Sequence, residues 1–161
     1  MIVAAVDQGT NTTRLLVAKV EEGRVEEKHR ESRITRLGEG VDARGRLLPL
    51  PIARVRNVLS DYRRTAESLG AERTLLVATS AVRDAENGEA FLGEIEWSYG
   101  FATRLLSGHD EALMMFRGVT SERKLDAGTV IVDVGGGSTE LVAAEPKLLN
   151  VRQSLRARRN T

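Results

Sequence analysis

Residues 7–18 (DQGTNTTRLLVA) and residues 133–144 (DVGGGSTELVAA) are two versions of one pattern. Five of the twelve positions are identical, at Asp7/Asp133, Gly9/Gly135, Thr13/Thr139, Leu15/Leu141 and Ala18/Ala144. Thr12/Ser138 and Leu16/Val142 are conservative changes. Each copy follows a short apolar run that ends at its aspartate, and each leads through small residues into a second apolar run. A match in both sequence and local context implies a duplicated unit. Any fold for this chain must therefore accommodate two strand–turn–strand hairpins of one design.

The segment between the copies supplies the rest of a domain. After the first hairpin, a turn at Glu21-Glu22-Gly23 leads to Arg24–Arg30, a candidate third antiparallel strand. Residues 35–46 (TRLGEGVDARGR) carry three glycines and are expected to be a loop. Ile52, Val55, Val58, Leu59, Tyr62, Ala66 and Leu69 recur at steps of three and four, which predicts a helix closed by Gly70. Strand and helix patterns then alternate: 74–78, 89–99, 102–106 and 110–119. That alternation implies a sheet covered by helices, an α/β class. The second copy of the repeat begins at 129–132. The expected boundary puts a first domain at 1–124 and the incomplete start of a second at 125–161.

The turn chemistry points to phosphate. Glycines allow close approach and positive φ, so successive N–H groups can converge on an anion, and Thr and Ser hydroxyls add donors. An aspartate at the strand end adds a hard oxygen ligand suited to Mg²⁺, which bridges to phosphate oxygens. Two such turns facing each other would grip phosphate from both sides. A tight β-hairpin turn is the plainer explanation for either copy alone, since Asp, Asn, Gly and Thr are ordinary turn residues. No GxxxxGK[ST] occurs, which excludes a Walker-type site.

Composition excludes other classes. The chain has 161 residues, enough for one domain and a remainder. No apolar run approaches the length of a membrane span, and the N-terminus lacks the pattern of a signal peptide. Zero cysteines exclude a disulfide framework and thiolate metal sites. The cytoplasm is the expected location. Net charge is +1, but Lys147, Arg152, Arg156, Arg158 and Arg159 follow Pro146 with no acid among them. Five charges without aromatic residues make a weak nucleic-acid footprint, so nucleic acid is not expected as a partner. His29 and His109 are given no role.

The segments AAVDQGTNTTRLLVA, TRLGEGVDARGRL, VATSAVRDAEN, LLSGHDEALMMFRGV and VIVDVGGGSTELV occur in this order. Together they resemble the exopolyphosphatase/guanosine pentaphosphate phosphohydrolase (Ppx/GppA) family, within the superfamily of actin, heat-shock chaperones and sugar kinases. The resemblance covers about residues 2–144. It implies a ribonuclease H-like, actin-type α/β fold, a mixed sheet flanked by helices, followed by the first hairpin of a second similar domain. It also implies a Mg²⁺-dependent hydrolase that releases terminal phosphate from polyphosphate or a phosphorylated guanine nucleotide.

By that resemblance, Gly9, Thr10, Asn11, Thr12 and Arg14 belong to the first phosphate loop, and Gly135, Gly136, Gly137, Ser138 and Thr139 to the second. Glu111 is the catalytic glutamate that orients or deprotonates water, Glu140 a second acid, and Arg83 a phosphate ligand. Asp133 and Asp7 are the metal-associated carboxylates. Thr10-Asn11-Thr12 departs mildly from the family's Ser-Asn-Ser. After Ala144 the family pattern stops, so the resemblance implies a chain that ends early in the second domain. Two alternatives stay open: a noncatalytic fragment that binds polyphosphate or a partner, and a superfamily kinase or ATPase. A homodimer pairing 130–134 and 141–144 with a second copy is one way to cover the second hairpin.

Overall fold

Three antiparallel strands open the chain: β1 (Ile2–Gln8), β2 (Thr12–Glu21) and β3 (Arg24–Ile34). In the computed structural model, which describes residues 1–122, 126, 128–144 and 149–156, they are joined by two parallel strands. These are β4 (Arg73–Ala78) and β5 (Ala102–Leu105), giving the order β3-β2-β1-β4-β5. β1 is therefore central, antiparallel to β2 on one side and parallel to β4 on the other.

Four helical segments fall among these strands: α1 (Val41–Arg44), α2 (Pro49–Ser68), α3 (Ser80–Arg83) and α4 (Gly88–Tyr99). Proline at the first positions of α2 presets φ where no intrahelical N–H bond is needed, so the helix begins ahead of the apolar periodicity. Its stripe of Val55, Val58, Leu59, Tyr62 and Ala66 is buried. That stripe joins Ala4 and Val6 of β1, Leu15 and Val17 of β2, Leu76 of β4, and Phe91 and Ile95 of α4 in one core. Leu37, Val41 and Leu47 enter the same core. Burial on this scale removes roughly 1.5–3 kcal/mol of exposure cost for each large side chain.

A second compact unit runs from Leu106, the first ending at Leu105. It holds α5 (Gly108–Glu122) and a three-stranded antiparallel sheet of β6 (Val130–Val134), β7 (Ser138–Ala144) and β8 (Leu149–Arg156). Helix α5 packs on these strands, so it groups with the second unit. The sequence-derived boundary lies after residue 124 instead, because strand–helix alternation alone does not say which sheet a helix covers.

Three elements differ from expectation. The 35–46 loop contains the single turn α1, bracketed by Gly40 and Gly45 in left-handed conformation. The short α3 follows β4 directly. The segment after residue 148 is a strand, so the second hairpin of the repeat is extended to a three-stranded meander. Leu149, Val151 and Leu155 fall on alternate positions, a period-2 signal obscured by the polar residues between them and by Gln153 on the same face. The basic tail is thus partly strand, and Lys147, Arg158 and Arg159 lie outside the described residues. Among the described residues, no helix is long and apolar enough to cross a membrane.

Tyr62 couples core to turn. It is fully buried on α2, and its hydroxyl donates to the Thr13 carbonyl at 2.9 Å. Burial pushes its phenol up from 10.0 to about 12. A folded-state value above the unfolded one means this stability is complete below pH 10 and is lost as pH rises toward about 12. Tyr62→Phe should cost about 1 kcal/mol in urea unfolding at neutral pH and should remove this phenol's share of the alkaline loss. Unchanged stability in both ranges would show that the bond is not structural.

Candidate functional site

Each repeat closes its turn in the same way. The Gly9 N–H donates to the Thr12 carbonyl at 2.9 Å, and the Gly135 N–H donates to the Ser138 carbonyl at 2.9 Å. The offset that carries Asp7 to Asp133 also carries Asp7↔Arg14 onto Asp133↔Glu140 and Gln8↔Thr13 onto Val134↔Thr139. The duplication is thus one of three-dimensional register. Neither glycine has positive φ; the requirement for glycine is space. A Cβ on Gly9 would lie 3.2 Å from the Thr12 carbonyl oxygen, and one on Gly135 would lie 2.9 Å from that of Ser138.

The first turn is fastened through its carbonyls. The Thr10 carbonyl accepts from Gly38 N–H, and the Asn11 carbonyl accepts from the N–H groups of both Thr35 and Arg36, all at 2.9 Å. In a planar trans peptide the C=O and the following N–H point in opposite directions. Anchoring these two carbonyls therefore turns the Asn11 and Thr12 N–H groups away from their supports, as an anion-binding turn requires.

Side chains complete the fastening. Thr10 Oγ1 shares a 2.8 Å hydrogen bond with Ser80 Oγ at the start of α3. The buried Thr13 hydroxyl donates to Gln8 Oε1 at 2.8 Å and lies 2.9 Å from Thr35 Oγ1. Thr13 is therefore a structural residue, its hydroxyl spent inside the protein. Arg54 supports the neighbouring segment, donating to the Thr35 carbonyl at 2.8 Å and pairing with Glu39. Nothing in the sequence marks Thr35, Gly38, Ser80 and Tyr62 as supports of the turn, because these contacts span long separations in the chain.

The two copies differ in charge where they agree in register. Opposite Asp7 stands Arg14, and the two form an exposed ion pair at 3.1 Å. Opposite Asp133 stands Glu140, which is buried while Asp133 is exposed. Like charges directly opposite one another are destabilising without a cation. Two hard carboxylate oxygens from adjacent strands suit Mg²⁺, which takes one or two carboxylates together with water and phosphate. Among the described residues, no group of three or more His, Cys, Asp or Glu is gathered as a metal cluster.

Glu111 lies in the first turn of α5. Ser107 Oγ accepts the Asp110 N–H at 3.1 Å and donates to Asp110 Oδ2 at 2.8 Å, a reciprocal cap at the helix start. The partial positive charge of that terminus favours the Glu111 carboxylate. His109 beside it is exposed. The first unit thus gathers Asp7, Gly9, Thr10, Asn11, Thr12 and Arg14, with Arg83 at the end of the helix that Ser80 begins. The second carries Glu111 on α5, Asp133 on β6, Glu140 on β7 and, at the turn, Gly135, Gly136, Gly137, Ser138 and Thr139.

Residues 16–157 match the model of the Ppx/GppA phosphatase family. Exopolyphosphatase 2 of Mycobacterium tuberculosis is 43% identical over 157 residues, spanning 91% of this chain and 49% of that protein. The guanosine-5'-triphosphate,3'-diphosphate pyrophosphatase of Vibrio vulnificus is 30% identical over 142 residues, spanning 88% of this chain and 29% of that one. The crystal structure of an exopolyphosphatase from Cytophaga hutchinsonii superposes with a TM-score of 0.89 at 25% identity, covering 98% of this chain and 51% of the other. The actin-type mixed sheet flanked by helices is the shared fold. The chain spans about half the length of these relatives, and less of the Vibrio protein.

Gly38→Ala tests the fastening of the first turn. Its Cβ would fall 2.3 Å from Thr10 Cγ2, forcing the Thr10 side chain away from Ser80, whereas a Cβ on Gly93 meets nothing within 4 Å. In calorimetric titration with pyrophosphate, Gly38→Ala should weaken binding by about fivefold or more, on the scale of a lost hydrogen bond, and Gly93→Ala should not. Equal affinities for the two variants would contradict this role for the Thr10–Ser80 contact.

Proposed function

The chain belongs to the Ppx/GppA phosphatase family, and from that premise we propose that it serves hydrolysis of the terminal phosphoanhydride of inorganic polyphosphate or guanosine pentaphosphate. The observation that carries the reading is the pair of Asp-x-Gly turns closed by one hydrogen bond in one strand register. Phosphoryl transfer asks little covalent chemistry of a protein; it depends on positioning and charge neutralisation. The Asn11 and Thr12 N–H groups and the Thr10 hydroxyl are donors for phosphate oxygens at the first turn, with Arg14 and Arg83 as cations. Gly135, Gly136, Gly137, Ser138 and Thr139 form the corresponding turn of the second unit.

In the reaction, water attacks the terminal phosphorus, the bond to the bridging oxygen breaks, and inorganic phosphate leaves. Glu111 orients that water and accepts its proton, in a first helical turn where a carboxylate is favoured. Asp133 and Glu140 would hold Mg²⁺, which when bound neutralises charge on the phosphate oxygens. Asp7 is already matched by Arg14, which makes it the lesser candidate for a metal ligand.

A second reading has an observation of its own. β1 is covered on its outer edge by β4, whereas β6, its counterpart, has no second neighbour among the described residues. Val130, Val132 and Val134 are 55%, 53% and 76% exposed. On this reading the chain binds polyphosphate, and turnover requires a further strand or a second copy on that edge.

Phosphate release from polyphosphate with Mg²⁺ separates the two. The hydrolase reading predicts release that Glu111→Gln lowers by about 100-fold or more. Release unaffected by that substitution would overturn the role of Glu111. Binding without release would select the second reading.

A further inference from the structure

Residues 36–49 leave the first turn along a path anchored at several points. The Gly38 N–H bonds to Thr10, and Leu37, Val41 and Leu47 insert into the core. Asn87 fixes the far end, accepting the Leu47 N–H at 2.8 Å and donating to the Leu47 carbonyl at 3.1 Å. The segment is therefore a rigid mount for the side chains it does not bury.

Arg44 and Arg46 are such side chains. With Leu48, Ile52, Arg56 and Asn87 they line an open groove of about 540 Å³. Arg56 is held by Glu94 through two bonds of 2.6 Å. Arg44 and Arg46 have no ion-pair or hydrogen-bond partner for their guanidinium groups among the described residues, unlike Arg14, Arg33, Arg54, Arg56, Arg63 and Arg64. The nearest acid in the chain is Asp42, and across the fold the Glu86 carboxylate lies beside Gly45, where a Cβ would be 3.7 Å from its Oε1. Arg36, at the start of this segment, is exposed; its N–H bonds to the Asn11 carbonyl, and its φ of 50° is unusual for a residue with a side chain. Arg46 is eight steps along the chain from Gly38, a span of at most about 28 Å even when extended.

The lining identifies the ligand class. No aromatic ring lines this groove to stack a base, and the one amide, Asn87, is spent on Leu47. A nucleoside would find little to recognise it. Guanidinium forks beside apolar Leu48 and Ile52 are matched to repeated phosphate groups, whose attraction is strengthened by low-dielectric walls. We propose that Arg44 and Arg46 form a distal subsite that holds later phosphates of an inorganic polyphosphate chain whose leading end lies at the first turn. The subsite gives preference for long polyphosphate over short phosphates and nucleotides, and it rests on the phosphate reading of that turn.

The test compares tripolyphosphate, long-chain polyphosphate and GTP as ligands of the chain, by calorimetry at several salt concentrations. Arg44→Gln/Arg46→Gln should weaken long-chain binding by about tenfold and flatten its salt dependence, while changing tripolyphosphate by less than about twofold. Arg44→Lys/Arg46→Lys should restore most of the long-chain affinity, and circular dichroism should show the same fold for all three proteins. Unchanged long-chain affinity in the Gln variant overturns the proposal. So does an equal loss for both phosphates, which would be a general field effect, or a loss confined to GTP. Failure of the unsubstituted chain to bind either phosphate sinks the reading of the first turn instead, and the subsite with it.

Discussion

The contact on which the rest depends is the bond from the turn glycine's N–H to the carbonyl three residues on. It closes Gly9–Thr12 and Gly135–Ser138 at the same length, and it admits no Cβ at the glycine without movement of the backbone oxygen opposite. From it follow the strand register and the identity of the residues that stand opposite each aspartate. A one-residue slip would exchange the faces of every side chain on both strands. Asp7 would then no longer face Arg14, nor Asp133 Glu140.

Around that shared geometry the two copies have diverged in chemistry. In the first, anchored carbonyls and an Asp–Arg pair leave the turn nearly neutral, with N–H donors directed outward. In the second, Asp133 and Glu140 stand opposite each other. The two copies thus share a register and differ in charge: a neutralised carboxylate in the first, a pair of facing carboxylates in the second. The support of the first turn comes from the core itself, through Tyr62, Leu37 and Ser80, so that stability and turn geometry are linked.

Much of this was legible in sequence, because it rests on local patterns. The repeat gave both turns, the apolar periodicity of Val55, Leu59 and Tyr62 gave α2, and the order of strand and helix patterns gave the α/β class. The SGHDEA segment marked a helix start, where Glu111 stands in the first turn, and the Ser107 cap follows from the same residues. What was not legible depends on distance in the chain. Thr35, Gly38 and Ser80 reach the first turn from other elements, and no spacing announces them. The strand β8 was hidden by its polar residues, and α5 could be assigned to a unit only once its packing was known. Positive φ, the usual reason for turn glycines, was the wrong reason here; close approach was the right one.

The central claim is that both turns bind phosphate through their backbone N–H groups. Its most direct test is a titration of the ¹⁵N-labelled chain with pyrophosphate and Mg²⁺, followed by amide NMR. The account predicts saturable shifts at Asn11 and Thr12 and at the Gly135–Ser138 turn, with residues such as Trp97 on the exposed face of α4 unmoved. Shifts absent from both turns, or confined to residues outside them, would contradict it.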